Sequence, residues 1–344
     1  MSSRPHVAVL GQGIAGTLVS MRLRENGVAH VVIDRGHERA SSYAAAGLVN
    51  PVTGRRFVLV DGYEAYVARF GIYERLSRLL GREYVRAVTI YRDLSRVKDR
   101  NQWDLRRADE AYARYMDPPV SGWRARIHYV DKGHYLGPTT GAYRVDLPGL
   151  TADYRSRLQD EGALLPLDLP TDEPLVGPGG TGVLGDAYDA VVDCRGAGSA
   201  SGPEWSDRAW RLSKGESIQF VNPAGYDHFA IKLKGAFLTP LGEGKRYWYG
   251  GTSTDEFDTD APTEAVRARL YAEAAATTGG QLGHVTHRAA VRPTTTDRQA
   301  IVGAHATIAG LYICNGLGTK GALTAPSVTA RLWSMLAPGL GRER

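Results

Sequence analysis

The segment VAVLGQGIAG near the N-terminus constrains the fold more than any other part of this chain. An apolar strand over Val7–Leu10 runs directly into the pattern Gly11-x-Gly13-x-x-Gly16, and the helical sequence IAGTLVSMRLRENG follows it. A second apolar run, HVVIDRG, then reaches Asp34. Strand, glycine turn, helix, strand and acid in this order predict a βαβ unit that binds a dinucleotide.

Each glycine has a separate physical role in such a unit. Gly11 allows the tight turn, Gly13 lets the backbone approach the pyrophosphate, and Gly16 allows the helix to pack closely on the strand. Asp34 ends the second strand and can bond a ribose hydroxyl. The predicted cofactor contacts of this unit are Gly11, Gly13, Ile14, Ala15, Gly16, Asp34 and Arg35. The unit alone does not separate NAD from FAD, although its position at the start of the chain favours FAD.

Composition places the chain among ordinary globular proteins. Its 344 residues exceed what one core usually supports, so we expect two domains. The net charge of +5 is mildly basic, and dispersed arginines favour a solvated surface over nucleic-acid binding. No apolar run approaches the ~18 residues of a membrane span, and the N-terminus lacks a signal-peptide pattern. We therefore expect a cytoplasmic protein without a membrane segment.

The cysteines and histidines do not form a metal pattern. Only Cys194 and Cys314 are present, without CxxC spacing, which argues against a disulfide framework or a zinc site. The sequence GHVTHR contains an HxxH pair, but no further ligand accompanies it, and two surface histidines are the favoured interpretation. We predict no metal site.

Two further stretches are rich in small residues. SSYAAAGLVNPVTGRRF, residues 41–57, suits close approach of the backbone to a flat ring or a phosphate, or else begins an Ala-rich helix. LYICNGLGTKGALTAPSVTARLW, residues 311–333, is a strand, a glycine turn and a helix, which again directs N–H groups at an electron-rich group. Lys320 lies in that turn, either as a functional cation or as a solvated lysine.

Together, the motifs of this chain resemble those of the FAD-dependent D-amino-acid-oxidase superfamily, which includes glycine oxidase and sarcosine oxidase. Besides the glycine turns and the small-residue stretch described above, the motifs that carry the resemblance are AVVDCRGAGS, YWYGGTSTDEFD and AAVRPTTTDRQAIVG. The resemblance covers nearly the whole chain, and the order of the motifs and their distances from the termini match the family. It implies FAD as the cofactor. The further cofactor contacts that it implies are Ser42, Ala45, Ala46, Gly47, Leu48, Cys194, Gly196, Gly316, Gly318, Thr319, Lys320 and Gly321.

The resemblance also implies an interleaved α/β architecture. A Rossmann-like FAD-binding domain would consist of residues 1–82, 138–212 and 290–344. An α+β substrate domain built on an antiparallel sheet would consist of residues 83–137 and 213–289. The alternating pattern from RLSKGESIQF to RYWYGGTSTDEF independently predicts that sheet.

Members of this family oxidise a C–N bond by hydride transfer to flavin N5, so the protein mainly supplies position and electrostatics. By resemblance, Lys320 is the cation that stabilises the reduced flavin, and Arg292 binds the substrate carboxylate. An ion pair between Arg292 and Asp297 is the alternative. Arg55 and Arg56 are rival carboxylate-binding cations, since sarcosine-oxidase-like members place an arginine near there.

Two departures from sarcosine-oxidase-like members matter. Their covalent-flavin cysteine would fall at Arg292, so we predict noncovalent FAD. Their oxygen-activating lysine would fall at Trp248, and a tryptophan cannot supply the charge of that lysine. The electron acceptor is therefore either oxygen or another compound. Tyr247, Trp248 and Tyr249 alternate along one strand, so one face should line the substrate pocket and the other the core. All three are candidate substrate contacts, and packing of all three in the core or at an interface is the alternative.

The favoured function is oxidation of a small amine or amino acid to an imine, with Lys320, Arg292 and Trp248 as candidate catalytic residues. A second hypothesis is trimming of a carboxymethylaminomethyl-uridine in tRNA, since GLGTKGALTAP and AAGLVNP also resemble the oxidase domain of that bacterial enzyme. A third is a flavin-binding protein without turnover.

Overall fold

The structure is a computed structural model that describes residues 6–120, 135–170, 175, 182–183, 186–223, 228–233, 235–280 and 282–342. The α-helices within these ranges are α1 (Ile14–Glu25), α2 (Ser41–Ala44), α3 (Tyr63–Val67), α4 (Gly71–Leu80), α5 (Val97–Arg107), α6 (Glu110–Ala113), α7 (Leu147–Asp160), α8 (Glu264–Thr278) and α9 (Gly321–Leu336). The strands are β1 (His6–Leu10), β2 (Ala29–Ile33), β3 (Leu48–Val49), β4 (Val52–Thr53), β5 (Val58–Leu59), β6 (Val85–Asp93), β7 (Leu136–Val145), β8 (Leu164–Leu165), β9 (Gly182–Val183), β10 (Asp186–Ala187), β11 (Ala190–Asp193), β12 (Ser213–Val221), β13 (Phe229–Lys232), β14 (Phe237–Pro240), β15 (Arg246–Gly250), β16 (Gly283–Arg292), β17 (Ile301–Ala304) and β18 (Leu311–Asn315).

A six-stranded sheet has the order β17-β18-β11-β1-β2-β8. All of its pairs are parallel except β17 with β18. The central strand β1 is buried over Val7–Leu10, because helices and loops cover both faces of a parallel sheet. Helix α1 connects β1 to β2, as the glycine pattern predicts, and it packs against α9. The predicted Rossmann-like part of the fold class is confirmed.

An eight-stranded sheet has the order β16-β12-β15-β14-β13-β6-β7-β3. Its pairs are antiparallel except β6 with β13, so the predicted antiparallel sheet is mixed at that one place. One face of this sheet packs on α8 through a core that includes Ile218, Tyr247, Tyr249 and Leu270. The opposite face is left for the site described below, because successive side chains alternate between faces.

The predicted domain segments can be placed on these two sheets. The boundaries at 137/138 and 289/290 fall inside β7 and β16, which both belong to the eight-stranded sheet. The short strand β3 also pairs with β7 of that sheet, although residues 1–82 are predicted as cofactor domain. The division of the chain into five segments stays a prediction.

No described helix is long and apolar enough to cross a bilayer. No cluster of three or more His, Cys, Asp and Glu side chains arranged for a metal ion occurs among the described residues.

Candidate cofactor and substrate site

A large cavity lies where the carboxyl ends of the parallel strands face the eight-stranded sheet. The residues that follow or end β1, β2, β11 and β18 all line it: Gly11, Asp34, Cys194 and Asn315. Ligands of open parallel sheets bind at this edge. Side chains from β12, β13, β15 and β16 form the opposite wall. The cavity therefore has two sides: a cofactor side at the strand ends of the six-stranded sheet, and a substrate-sheet side formed by the eight-stranded sheet.

The first glycine turn is held by contacts that a side chain would break. Gly11 has φ of 91°, and a Cβ there would lie 2.6 Å from the backbone oxygen of Cys194. A Cβ on Gly16 would lie 1.8 Å from the backbone oxygen of Gly11. No side chain caps α1 at Gly13, although Ser42 accepts a hydrogen bond from Ile14 N over 3.0 Å. The positive N-terminus of α1 is thus directed at the cavity, as a pyrophosphate site requires.

The carboxylate of Asp34 is fixed at the end of β2 by three donors. Its Oδ2 accepts from Gln12 N over 2.8 Å, and its Oδ1 accepts from Gly36 N over 2.8 Å. Arg155 Nη1 on α7 also donates to Oδ1, over 2.5 Å. A carboxylate oxygen has about two acceptor sites, so Oδ2 retains one for a further donor such as a ribose hydroxyl.

The second glycine turn places another helix end at the cavity. Gly318, Thr319 and Gly321 line the cavity at the start of α9. Lys320 is exposed and does not line the cavity, so the structure does not bring its ammonium group to the other predicted residues. Its role toward a reduced flavin stays a prediction.

The residues of this edge fit FAD. Two helix N-termini face the same cavity, and Ala44, Ala45, Ala46 and Gly47 present small side chains and backbone between them. The N-termini suit the pyrophosphate and the electron-rich edge of a flavin, and the small residues suit close approach to a flat ring. Asp34 supplies an acceptor for the ribose.

Arg292 ends β16 on the substrate-sheet side. Its guanidinium covers Gly215, where a Cβ would lie 2.0 Å from Nη2. Nη1 donates to the backbone oxygen of Thr252 over 3.1 Å. Burial lowers the pKa of Arg292 from its ordinary value. Asp297, the alternative partner, is exposed and accepts from Gln299 N over 2.9 Å.

Trp248 is the one residue of the predicted aromatic trio that reaches the cavity. It is 5% exposed and lines the cavity wall. Tyr247 and Tyr249 lie in the core between the sheet and α8, so the structure does not bring them to the substrate side. The reason is the alternation of side chains along β15, which the sequence predicts without saying which face is which.

Arg55 and Arg56 also lie outside the cavity. Both are exposed in the turn between β4 and β5, and Arg106 Nε of α5 donates to Arg56 O over 3.3 Å. The hairpin formed by β4 and β5 carries this turn away from the loop that lines the cavity. The structure therefore leaves them as surface cations rather than neighbours of Arg292.

The remaining predicted residues divide between the cavity and its supports. Those that line the cavity are Gly11, Gly13, Ile14, Ala15, Asp34, Arg35, Ser42, Ala45, Ala46, Gly47, Leu48, Cys194, Gly196, Gly318, Thr319, Gly321, Trp248 and Arg292. Those that are described but do not line it are Gly16, Gly316, Lys320, Arg55, Arg56, Tyr247 and Tyr249. Which of these residues bind cofactor or substrate stays a prediction.

Lys232 is a cavity residue that sequence reasoning missed. Its Nζ lies 4.0 Å from the centroid of the Phe237 ring. Burial, together with the nearby charge of Arg92, lowers the pKa of Lys232 to about 8. The available signal was alternation, because Phe229 and Ile231 are apolar core residues and Lys232 points to the other face.

Most charges of the cavity wall are already paired. The ion pairs of its charged residues are Asp34–Arg155, Arg35–Asp168, Arg39–Asp260, Arg195–Asp193 and Glu216–Lys214. The side chain of His287 is 8% exposed and its Nε2 lies 2.9 Å from Glu216. The expectation of a surface residue is therefore wrong for His287, whereas His284 of the same pair is exposed. Within the described ranges, Lys232 and Arg292 are the charged wall residues without a carboxylate in ion-pair distance.

Comparison with known proteins adds a family and several relatives. Residues 6–333 match the family described as FAD dependent oxidoreductase, DAO. The tRNA 5-methylaminomethyl-2-thiouridine biosynthesis bifunctional protein MnmC of Caulobacter sp. (strain K31) is 28% identical, over 95% of this chain and 53% of that protein. The chain thus spans about half the length of this curated relative.

Solved structures share the fold. Iminodiacetate oxidase from Chelativorans sp. BNC1 superposes with a TM-score of 0.77 at 21% identity, covering 98% of this chain and 96% of that one. Glycine oxidase from Geobacillus kaustophilus superposes with a TM-score of 0.77 at 18% identity, covering 98% and 95%. At such identities the likeness concerns the fold.

Proposed function

The chain belongs to the FAD dependent oxidoreductase family, and on that premise we propose that it oxidises the C–N bond of a small amine or amino acid to an imine. The observation that carries the proposal is the position of Arg292, a half-buried cation that lines the cavity without a carboxylate partner among the described residues. The names of the iminodiacetate and glycine oxidases support the substrate class, since both name amines that carry carboxylates.

FAD, when bound, supplies the hydride acceptor for this reaction. Arg292 binds the carboxylate of the substrate through its planar guanidinium, which holds the reacting carbon in one place. The amine also loses a proton from nitrogen, so that the C–N single bond becomes a C=N bond. The N-termini of α1 and α9 stabilise negative charge on the cofactor side of the cavity.

We propose that FAD is held noncovalently. The position of the covalent cysteine in sarcosine-oxidase-like members is taken by Arg292, and Cys314 is fully buried. Cys194 does line the cavity, but burial raises the pKa of its thiol well above the ordinary value. A thiol that resists ionisation is a poor nucleophile.

The proposal is tested by anaerobic titration of the purified holoenzyme with D- and L-amino acids, N-methyl amino acids and simple amines. Bleaching of the visible flavin band by one class supports amine oxidation. The R292M variant should then need about ten- to a hundred-fold more of a carboxylate-bearing substrate, because it loses a charged hydrogen-bond partner. R331M, which alters an exposed arginine on α9, is the matched control.

Admission of air after bleaching separates oxidase from dehydrogenase activity. Trp248 lines the cavity in place of the oxygen-activating lysine, which favours slow reoxidation by oxygen. Flavin that dithionite reduces but no amine bleaches would instead favour a flavin-binding protein without turnover.

Trimming of a wobble uridine in tRNA is a second candidate, supported by the relationship to MnmC. The exposed Arg55 and Arg56 lie beside the half-buried Arg106, and this group of cations offers contacts to phosphates. Binding of unmodified tRNA that weakens steeply with salt, and is weaker in an R55A/R56A variant, would favour this candidate.

A further inference from the structure

We propose that Lys232 binds a second anionic group of the substrate, so that the preferred substrate is an elongated amine with two carboxylates. This inference rests on the proposed function and specifies its substrate class. It follows from the position of Lys232 and from the pairing of the charges around it.

The pairing of the cavity wall leaves Lys232 available. Each carboxylate of the described cavity wall already has a cationic partner other than Lys232, including Asp34 with Arg155 and Glu216 with Lys214. The charged neighbour of Lys232 is Arg92, which repels rather than neutralises it. A half-buried ammonium next to another cation is costly unless an anion arrives.

The surroundings of Lys232 hold its ammonium group at the cavity. Nζ sits over the ring of Phe237, which also lines the cavity. Leu48, which is half-buried, lines the same wall. In the proposed complex, Phe237 and Leu48 contact the apolar part of an extended substrate, while the ammonium group of Lys232 offers three donors to its carboxylate.

Strand register puts Lys232 and Arg292 on one face of the sheet. Lys232 pairs with Phe237, Phe237 with Gly250, and Gly250 with Ser217. Arg292 pairs with Ser213, four residues from Ser217 on β12. Residues separated by an even number on a strand share a face, so both cations face the cavity.

The same register separates the two cations. Three strands lie between β13 and β16, which sets their backbones about 19 Å apart across the sheet at ~4.8 Å per strand, and the four-residue offset along β12 adds about 13 Å along the strands. The Arg292 guanidinium lies over Gly215 of β12 and Lys232 Nζ lies over the ring of Phe237 on β14, so both charged groups sit nearer to each other than their backbones do. Two carboxylates several bonds apart therefore fit the pair better than two on adjacent carbons.

The test uses visible difference spectra of the FAD holoenzyme. It is titrated with the dicarboxylates from succinate to suberate and with the monocarboxylates of equal chain length. We expect the longer dicarboxylates to bind about ten-fold or more tightly than their monocarboxylate counterparts. In K232M that preference should disappear, with monocarboxylate binding unchanged. K232R should retain it, and K98M, at an exposed lysine of α5, is the matched control.

Several outcomes would overturn the inference. Equal binding of dicarboxylates and monocarboxylates by the wild-type protein would overturn it, and this measurement needs no variant. Equal weakening of both series in K232M would also do so, since it would show a structural role. A holoenzyme bleached by an amine but indifferent to dicarboxylates overturns this inference alone. One that prefers dicarboxylates yet is bleached by no amine overturns the proposed function instead.

Discussion

The indole Nε1 of Trp248 donates a hydrogen bond to the backbone oxygen of Ala44 over 2.9 Å. Ser217 Oγ donates to the same oxygen over 3.3 Å. Two strands of the eight-stranded sheet thereby hold the end of α2, from which the small-residue loop continues along the cavity. The wall of the candidate substrate site and the loop predicted to hold FAD are thus one connected structure.

Replacing Trp248 by phenylalanine should loosen that loop. W248F removes the indole donor, and we expect a loss of about 1 kcal/mol in the free energy of unfolding together with weaker FAD binding. Thermal unfolding and FAD titration of the apoprotein measure the two effects. Y249F is the control, because its hydroxyl donates to Glu273 on the opposite face over 3.3 Å. Equal FAD affinity in wild type and W248F would contradict the prediction.

Arg155 should act as a positioning residue for the cofactor. It bonds both the carboxylate and the backbone oxygen of Asp34. R155M leaves a largely buried carboxylate without its cation, so we expect FAD to bind about ten-fold more weakly or worse. Fluorescence titration of the apoprotein with FAD measures this. R157M, whose arginine pairs with Glu161 on the exposed side of α7, should bind FAD as wild type does. A similar loss in R157M would point to general destabilisation of the helix.

A methyl group at Gly215 should displace the Arg292 guanidinium without removing its charge. The Cβ of G215A would lie 2.4 Å from Cζ of Arg292, and the end of that side chain can move. We expect weaker binding of monocarboxylates, seen in flavin difference spectra, with little change in melting temperature. G283A on the same strand as Arg292 is the control, since its Cβ would meet only ordinary contacts of 3.6 Å and longer. Unchanged carboxylate affinity in G215A would count against Arg292 as the binding group.

The preference for dicarboxylates should depend on pH through Lys232. Its pKa is lowered to about 8, so the ammonium form that attracts an anion dominates below that pH and is lost above it. The advantage of suberate over octanoate should therefore be full near pH 7 and fall as the pH rises past 8. A bound carboxylate favours the charged form of Lys232 and moves the midpoint of the pH dependence to a higher pH. K232R should keep the advantage to higher pH, because a guanidinium stays protonated. A wild-type advantage that is flat from pH 7 to 10 would contradict the assignment.

Local sequence was enough for the βαβ unit on the cofactor side of the molecule. Gly11, Gly13 and Gly16 stand within one turn, and the strand, helix and acid around them are contiguous, so backbone geometry alone predicts what they form. The resemblance to a family then named FAD, which the family match confirms, and predicted a role for the second glycine turn. The resemblance also predicted Arg292 as a substrate-binding residue, and Arg292 does line the cavity.

Tertiary structure decided the support of Asp34 on the cofactor side and the whole of the substrate side, because these contacts join distant parts of the chain. Arg155 reaches Asp34 across 121 residues, and no local pattern links the two. Alternation predicted that Trp248 and its tyrosine neighbours face opposite ways, but only the position of α8 settles which face is core. Lys232 and Arg292 share a face because five strands pair in one register. Strand pairing of this kind is a long-range choice, whereas a glycine turn is set by its own few residues.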